Sequence, residues 1–456
     1  VSLLPSFVAP SDAMFLIPEN RDQPMHVGSL QLFESPPGAG PDSLGELYRQ
    51  ALQVQDVAPV FTKRPVRGLS TLGQWAWVQD DAIDLEHHVR HSSLPRPGRV
   101  RELLALTSRL HGSLLDRRRP LWEMHLIEGL EDGRFAVYTK LHHSLMDGIS
   151  GLRLLERSLS TDPATRGLPM PFARRPSGPR EGSGLDLAGL VGTGVRAAAD
   201  AVGLAPRLAH LAEDALRSQG AAMPGQAPRS VLNVPISGSR RFAADSWELD
   251  RVRAVATAAE ATINDVILAM SAGALRDYLL SLDALPDDPL VAMTPVSLRT
   301  GDDEGGNAVG AILASLGTDL ADPEQRLLAV RESMRAGKAT LAGLSPLQVT
   351  ALSALTMSPL LLNTLLGVPR FLRPPFNLVI SNVPGPPSPL YWNGARLDGM
   401  YPLSIPTAGQ ALNITVTSYA GRLQFGLTGC RRALPHLQRL LVGLDDALGH
   451  LEKAFL

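Results

Sequence analysis

Residues 134–155 read RFAVYTKLHHSLMDGISGLRLL and hold the densest group of chemically able side chains in the sequence: His142, His143, Asp147 and Gly148. An imidazole near pKa 6.5 suits general-base work at neutral pH. It can take the proton of an alcohol while that oxygen attacks a thioester carbonyl, with no covalent enzyme intermediate required. Phe135, Val137, Thr139 and Leu141 alternate with Ala136, Tyr138 and Lys140, the pattern of a half-buried strand running into the histidines. Gly148 and Gly151 mark a turn, and Ile149, Leu152, Leu155 and Leu159 begin a helix. Adjacent residues on an extended backbone point to opposite faces. One of the two histidines is therefore the working imidazole, and the other holds structure. Asp147 can fold back across the turn to fix the loop, or find a cation.

A pair of histidines alone means little. His87 and His88 form a second pair with no Asp-Gly four residues on, and a structural role is expected for them. The full pattern His-His-x-x-x-Asp-Gly seldom arises by chance. A metal site built from His125, His142, His143 and Asp147 is disfavoured, because neighbouring histidines on opposite faces make poor co-ligands. No metal and no redox cofactor are expected.

The elements that must position this motif belong to a chain of 456 residues, long enough for two or three domains. Hydrophobic residues make up 44% and charged residues 19%, a globular balance on the apolar side. The formal net charge is −2, and no basic stripe interleaved with aromatics occurs, so a nucleic-acid partner is not expected. Cys430 stands alone and can form neither an intrachain disulfide nor a cysteine metal cage, which fits a reducing compartment. The opening residues carry no basic segment ahead of their apolar ones, so no secretory signal is read.

Strand-like and helix-like patterns alternate over residues 1–161, with strands at 25–33 and 134–141 and helical spacing at 104–115 and 149–159. Residues 162–230 read as a linker: two Pro/Gly-rich stretches flank an Ala/Leu-rich helical segment, 185–216. A second lobe, 231–456, mixes helices (260–281, 323–342, 434–453) with strands (289–296, 376–382, 411–418, 422–428). Two α/β lobes joined by a long connection is the simplest architecture. Residues 347–369 carry no charge and are long enough to span a bilayer, but Pro359 and seven polar residues argue against a span. Two short apolar helices, packed in a core or lying on a membrane surface, are the expectation there.

HHSLMDG resembles the HHxxxDG signature of the chloramphenicol-acetyltransferase-like acyltransferases. The whole chain resembles the bacterial wax ester synthase/diacylglycerol acyltransferase family within them. The resemblance rests on the order of short motifs: Ser11–Phe15, Pro120–Glu123, Ile127–Leu130, Leu232–Gly238, Asn264-Asp265, Pro295–Arg299, Ser381–Pro386, and Pro402-Leu403 with Pro406. It implies two chloramphenicol-acetyltransferase-like α/β lobes, each a mixed sheet flanked by helices, with a channel between them and the histidines midway along it. It implies that acyl-CoA enters as co-substrate from one side and an alcohol from the other. His143 would be the general base, with His142 beside it. Asp147, with Gly148, would be mainly structural and paired with an arginine, for which Arg299 is the candidate; a charge swap between the two should restore folded protein if they pair.

Four further residues, Asn264, Asp265, Ser381 and Asn382, are candidates for lining or supporting the site. Asn264 either caps a helix or offers its amide to a developing oxyanion. Ser381–Pro386 reads as a turn-rich loop after a buried strand, and it borders the channel or is a plain turn. Trp122 and Pro120 read as packing. The expected activity is acyl transfer from acyl-CoA to diacylglycerol, giving triacylglycerol, or to a long-chain alcohol, giving wax ester. The expected location is cytoplasmic, with peripheral contact to a membrane or lipid droplet. The rival readings are an acyltransferase that takes its acyl group from a carrier protein, and a non-catalytic lipid-binding module.

Overall fold

The computed structural model describes residues 6–36, 38–40, 42–175, 225–297, 309–342, 348–349 and 373–456. The first half contains β1 (Ser6–Phe7), α1 (Pro10–Leu16), β2 (His26–Glu34), α2 (Ser43–Leu52), β3 (Lys63–Arg67), β4 (Trp75–Gln79), α3 (Leu85–His88), β5 (Val89–Ser93), α4 (Val100–Gly112), β6 (Trp122–Glu128), β7 (Phe135–His142) and α5 (Gly148–Glu156). The second contains β8 (Arg240–Glu248), α6 (Leu249–Ala258), α7 (Ile263–Leu280), β9 (Val291–Ser297), β10 (Val309–Ser315), α8 (Pro323–Leu341), β11 (Leu378–Val383), β12 (Tyr391–Trp392), β13 (Ala395–Leu403), β14 (Leu412–Tyr419), β15 (Arg422–Cys430) and α9 (Arg439–Phe455).

Among the described residues the strands form two six-stranded sheets and one small one. The first sheet runs β12-β13-β2-β7-β6-β5 and the second β10-β9-β11-β14-β15-β8. Both are mixed: β5 lies parallel to β6, and β11 lies parallel to both β9 and β14. The α/β class with two sheet-based lobes is as expected. The clean division at residue 231 is not. β12 and β13 leave the second lobe and complete the first sheet, with β13 antiparallel to β2 from Arg396 opposite Glu34 to Leu403 opposite Gly28. Leu397, Met400 and Trp392 are buried in the first lobe's core with Phe33 and Trp122. The crossing strand covers an edge of β2 that would otherwise expose unpaired backbone groups.

β7 sits between β2 and β6 and is buried along nearly its whole length. The expectation of a half-buried strand is therefore wrong, and Lys140 shows why. Its side chain is 0% exposed, yet its Nζ lies 3.0 Å from Glu123 and donates to the carbonyls of Leu110 and Ser113 at 3.1 Å. The polar side of the alternation faces an internal ionic layer, not water; a buried charge is tolerated when it is paired and hydrogen-bonded.

In the second lobe α7 is buried from Asp265 to Leu275 on all sides, between the sheet and its neighbouring helices. Gly273 permits this: a Cβ there would stand 2.8 Å from that of Ala447 on α9. The lobes meet over a shared cluster that joins Leu30, Leu32 and Tyr138 to Phe242 and Leu403. Ser108 Oγ accepts the Phe242 N–H at 2.9 Å across this seam. No helix among the described residues is long and apolar enough to cross a membrane. The helical segment read at 185–216, Arg299, and all of 347–369 except Gln348 and Val349 lie outside the described residues.

Candidate active site

His142 is the last residue of β7, and its backbone N–H donates to Leu121 O at 3.0 Å. Its ring is fully buried. The Ser144 N–H donates to Nδ1 at 3.1 Å, so Nδ1 is the acceptor and the proton sits on Nε2. Nε2 faces Glu19 Oε1 at 3.3 Å, an ion-pair distance whose angle falls short of a good hydrogen bond. Glu19 is held in turn by Arg117 at 2.9 Å and by the Met25 N–H at 3.0 Å. Burial alone would raise the Glu19 pKa. The nearby His142 Nε2, the Met25 N–H and Arg117 together outweigh that and hold it below the usual range.

His143 points the other way, as alternation requires, and is half-buried. Its backbone N–H donates to Met25 O at 2.9 Å, and its ring stacks on Phe15 of α1 at 3.9 Å and 18°. Burial lowers its pKa to about 4, although Asp147 and the residue's own backbone pull upward. The result is a neutral imidazole with one face clamped by an aromatic ring, and a neutral imidazole carries one nitrogen lone pair that can take a proton.

Asp147 caps α5: its Oδ1 accepts the Ser150 N–H at 2.7 Å. Of the two roles open to it, fixing the loop is the one seen. Gly148 is therefore the first helical residue, and Gly151 lies in the helix too, not in a turn. The cap starts the helix earlier than glycine counting suggests. His125 pairs with Glu123 at 3.2 Å in the ionic layer around Lys140, away from the other three residues of the disfavoured metal set. His88 stacks on Trp122 at 4.5 Å and meets its carbonyl at 2.8 Å, a packing role. Trp122 donates its Nε1–H to Phe61 O at 2.9 Å and is likewise packing.

In the second lobe the cap of α7 is Thr262, which exchanges hydrogen bonds with Asp265. The reading of Asn264 as cap is thus overturned: it is the second helical residue, two positions past the cap, with Asp265 committed to Thr262. Ser381 and Asn382 lie inside β11, opposite Thr415 and Val416 of β14, and the loop starts only after Val383. The described structure brings His142, His143 and Asp147 together through one strand–turn–helix unit. It places Asn264, Asp265, Ser381 and Asn382 on the other lobe.

With this geometry in place, two family models account for most of the chain. Residues 8–267 match the wax ester synthase/diacylglycerol acyltransferase catalytic domain, and residues 305–452 match the C-terminal domain of the same group. The chain belongs to the wax ester synthase/diacylglycerol acyltransferase family. A Mycobacterium tuberculosis protein named as a probable diacylglycerol O-acyltransferase is 52% identical over 457 residues, covering 98% of each chain. The solved wax ester synthase/diacylglycerol acyltransferase of Marinobacter aquaeolei is 43% identical, with a TM-score of 0.77 over 98% of this chain and 99% of that one. The first condensation domain of the calcium-dependent-antibiotic (CDA) synthetase shares the fold at a TM-score of 0.60 and 15% identity, over 100% of this chain and 98% of that one. In this wax ester synthase/diacylglycerol acyltransferase chain, Phe15, Glu19, Arg117 and Ser144 were missed as parts of the histidine site. Phe15 and Ser144 lie within quoted motifs, but Glu19 and Arg117 carry no spacing signal, since they meet the histidines only through the fold.

Proposed function

We propose that this protein transfers an acyl group from acyl-CoA to the hydroxyl of a hydrophobic alcohol. The acceptor is diacylglycerol, giving triacylglycerol, or a long-chain alcohol, giving wax ester. The neutral, Phe15-clamped imidazole of His143 is the observation that carries the reading. Its Nε2 takes the hydroxyl proton as the oxygen attacks the thioester carbonyl. The tetrahedral intermediate collapses, the C–S bond breaks, and the CoA sulfur leaves with the proton returned from His143. His142 holds the turn through Ser144 and Glu19. Asp147 fixes the start of α5, and Gly148 keeps that turn free of a side chain. Arg299 is the proposed cation for the second Asp147 oxygen. Asn264, supported by Asp265, supplies an amide to the oxyanion, and Ser381 and Asn382 border the second lobe's side of the path. The names carried by the relatives support the substrates. No metal or redox cofactor takes part, and the protein works in the cytoplasm against a membrane or lipid droplet.

The test is CoA release from palmitoyl-CoA with diacylglycerol or hexadecanol, for wild type and His143→Ala. The expected outcome is acceptor-dependent release that falls by roughly 10²–10⁴-fold in a folded variant. Release from neither acceptor, with turnover of a carrier-protein thioester, would transfer the reading to that donor.

A further inference from the structure

The hairpin of β3 and β4 ends in a tip, Gly68–Gly73, that holds Leu69 98% exposed and Leu72 87% exposed. A single exposed leucine is ordinary. Here the backbone is organised to keep both outside. Thr71 is buried beneath the tip; its hydroxyl lies 3.1 Å from Gly68 O and 2.7 Å from Gln74 O and accepts the Gly68 N–H at 3.1 Å. Leu72 N–H donates to Leu69 O and Gly73 N–H to Gly68 O, which closes the turn. Leu72 itself has φ 51°, in the left-handed region where glycine or asparagine is the ordinary choice. A bulky apolar residue occupies a disfavoured conformation and gains no burial there.

Behind the tip lies a basic and aromatic collar. Arg67 stands 5.8 Å over the Trp75 ring and Lys63 stands 4.7 Å over the Trp77 ring. No Asp or Glu occurs between residues 57 and 79. Arg64 and Arg67 meet no carboxylate among the described residues. Arg67 Nε donates to Gly73 O of the tip at 2.6 Å, and apolar side chains at the outermost point, with Trp and Arg that meet no carboxylate one step behind, match the layering of a lipid interface. Two projecting leucines supply far less than the roughly 800 Å² per partner of a stable protein interface.

The base of the hairpin reaches the histidines. Trp75 and Trp77 pack on Val8, Leu16, Leu115 and Leu121. Leu16 closes α1, whose Phe15 stacks on His143. Arg117, which holds Glu19 beside His142, lies 5.5 Å over the Trp75 ring.

We propose that the β3–β4 hairpin docks the protein on an anionic lipid surface. Leu69 and Leu72 enter the acyl boundary, Arg64 and Arg67 meet the headgroup phosphates, and the active-site wall is held against the layer that carries the water-insoluble acceptor. The purpose rests on the acyl-transfer reading; the docking does not.

The experiment is flotation of the full chain with vesicles of phosphatidylcholine alone and of phosphatidylcholine with phosphatidylglycerol. Wild type is compared with Leu69→Ser/Leu72→Asn and with Arg64→Gln/Arg67→Gln. Wild type should float with the anionic vesicles and lose part of that binding in high salt. The leucine variant should bind both vesicles about tenfold or more weakly, and the arginine variant should lose only the anionic preference. Asn suits the left-handed position, so the leucine variant should melt no lower than wild type. It should turn over a water-soluble short-chain alcohol unchanged, while turnover of vesicle-held diacylglycerol falls with binding. Both variants floating like wild type would overturn the proposal. So would a wild type that ignores both vesicles and instead self-associates through Leu69 and Leu72. Binding lost in the variants, with no turnover in any protein, would keep the docking and refute acyl transfer.

Discussion

Two neighbouring histidines divide their work because each meets a different packing environment. His143 is buried enough to stay neutral, with a pKa of about 4 against about 6.5 in an unfolded chain. Between those values the unfolded state binds the extra proton. The stability that this site adds is present above about pH 6.5 and is lost as pH falls through about 4. His88, at about 4, and His111, at about 3, are lowered by burial first and act in the same direction. Denaturation midpoints should therefore fall steadily between pH 7 and pH 4. The acid limb of kcat/KM should lie near 4; a limb near 6.5 would place the working base elsewhere. Glu19→Gln keeps the shape beside His142 and removes the charge. It should lower kcat by about tenfold with KM nearly unchanged, as when carboxylates that orient other imidazoles are lost. A fall in melting temperature that accounts for the whole activity loss would make Glu19 structural only.

At the scale of elements, the site depends on where β7 stops and where α5 and α7 begin. Lys140 holds β7 to β6 through Glu123, whose pKa stays near 2: the His125 hydrogen bond and the Lys140 charge outweigh the burial that would raise it. Lys140→Met leaves the Glu123 carboxylate buried without its ammonium and should cost about 3–5 kcal/mol in denaturant unfolding. The start of α7 separates two roles that sequence alone had merged onto one residue. Thr262→Ala should cost about 1 kcal/mol of stability, because it removes the cap. Asn264→Ala should leave stability within about 0.5 kcal/mol and lower kcat by about 10²–10³-fold if its amide meets the oxyanion. An Asn264 variant with full turnover would remove that residue from the site.

At the scale of the whole molecule, the two lobes are coupled by an exchanged strand. β13 crosses from the second lobe to pair with β2, and on the way it passes over β15 at Gly426. A Cβ at Gly426 would stand 1.8 Å from the Pro402 carbonyl, a backbone atom that no rotamer can move. Gly426→Ala should therefore destabilise the protein by about 1–3 kcal/mol or more. It should also loosen the seam where His111 Nε2 meets Ser404 O at 3.0 Å, which amide exchange in β13 and α4 would report. Exchange confined to β15 would show that the lobes are joined less tightly than the crossing implies.

The sequence by itself determined the mixed α/β class, the strand that delivers the histidines, their opposite facing and the family, because each is written in local alternation, helical period or short motifs. The boundaries of β2, β7, α8 and β14 lie within a few residues of that reading. It could not place β13, since nothing local distinguishes a strand that pairs with its own lobe from one that crosses to another. It took Lys140 for a solvent-facing residue, because alternation records polarity and not whether the polar side meets water or a buried Glu123. Only tertiary packing brought Glu19 to His142 and Phe15 to His143, each across more than a hundred residues of chain, and Arg117 to Glu19 across 98. Contacts of that range leave no periodic trace, so the imidazole's neutrality and orientation are properties of the fold.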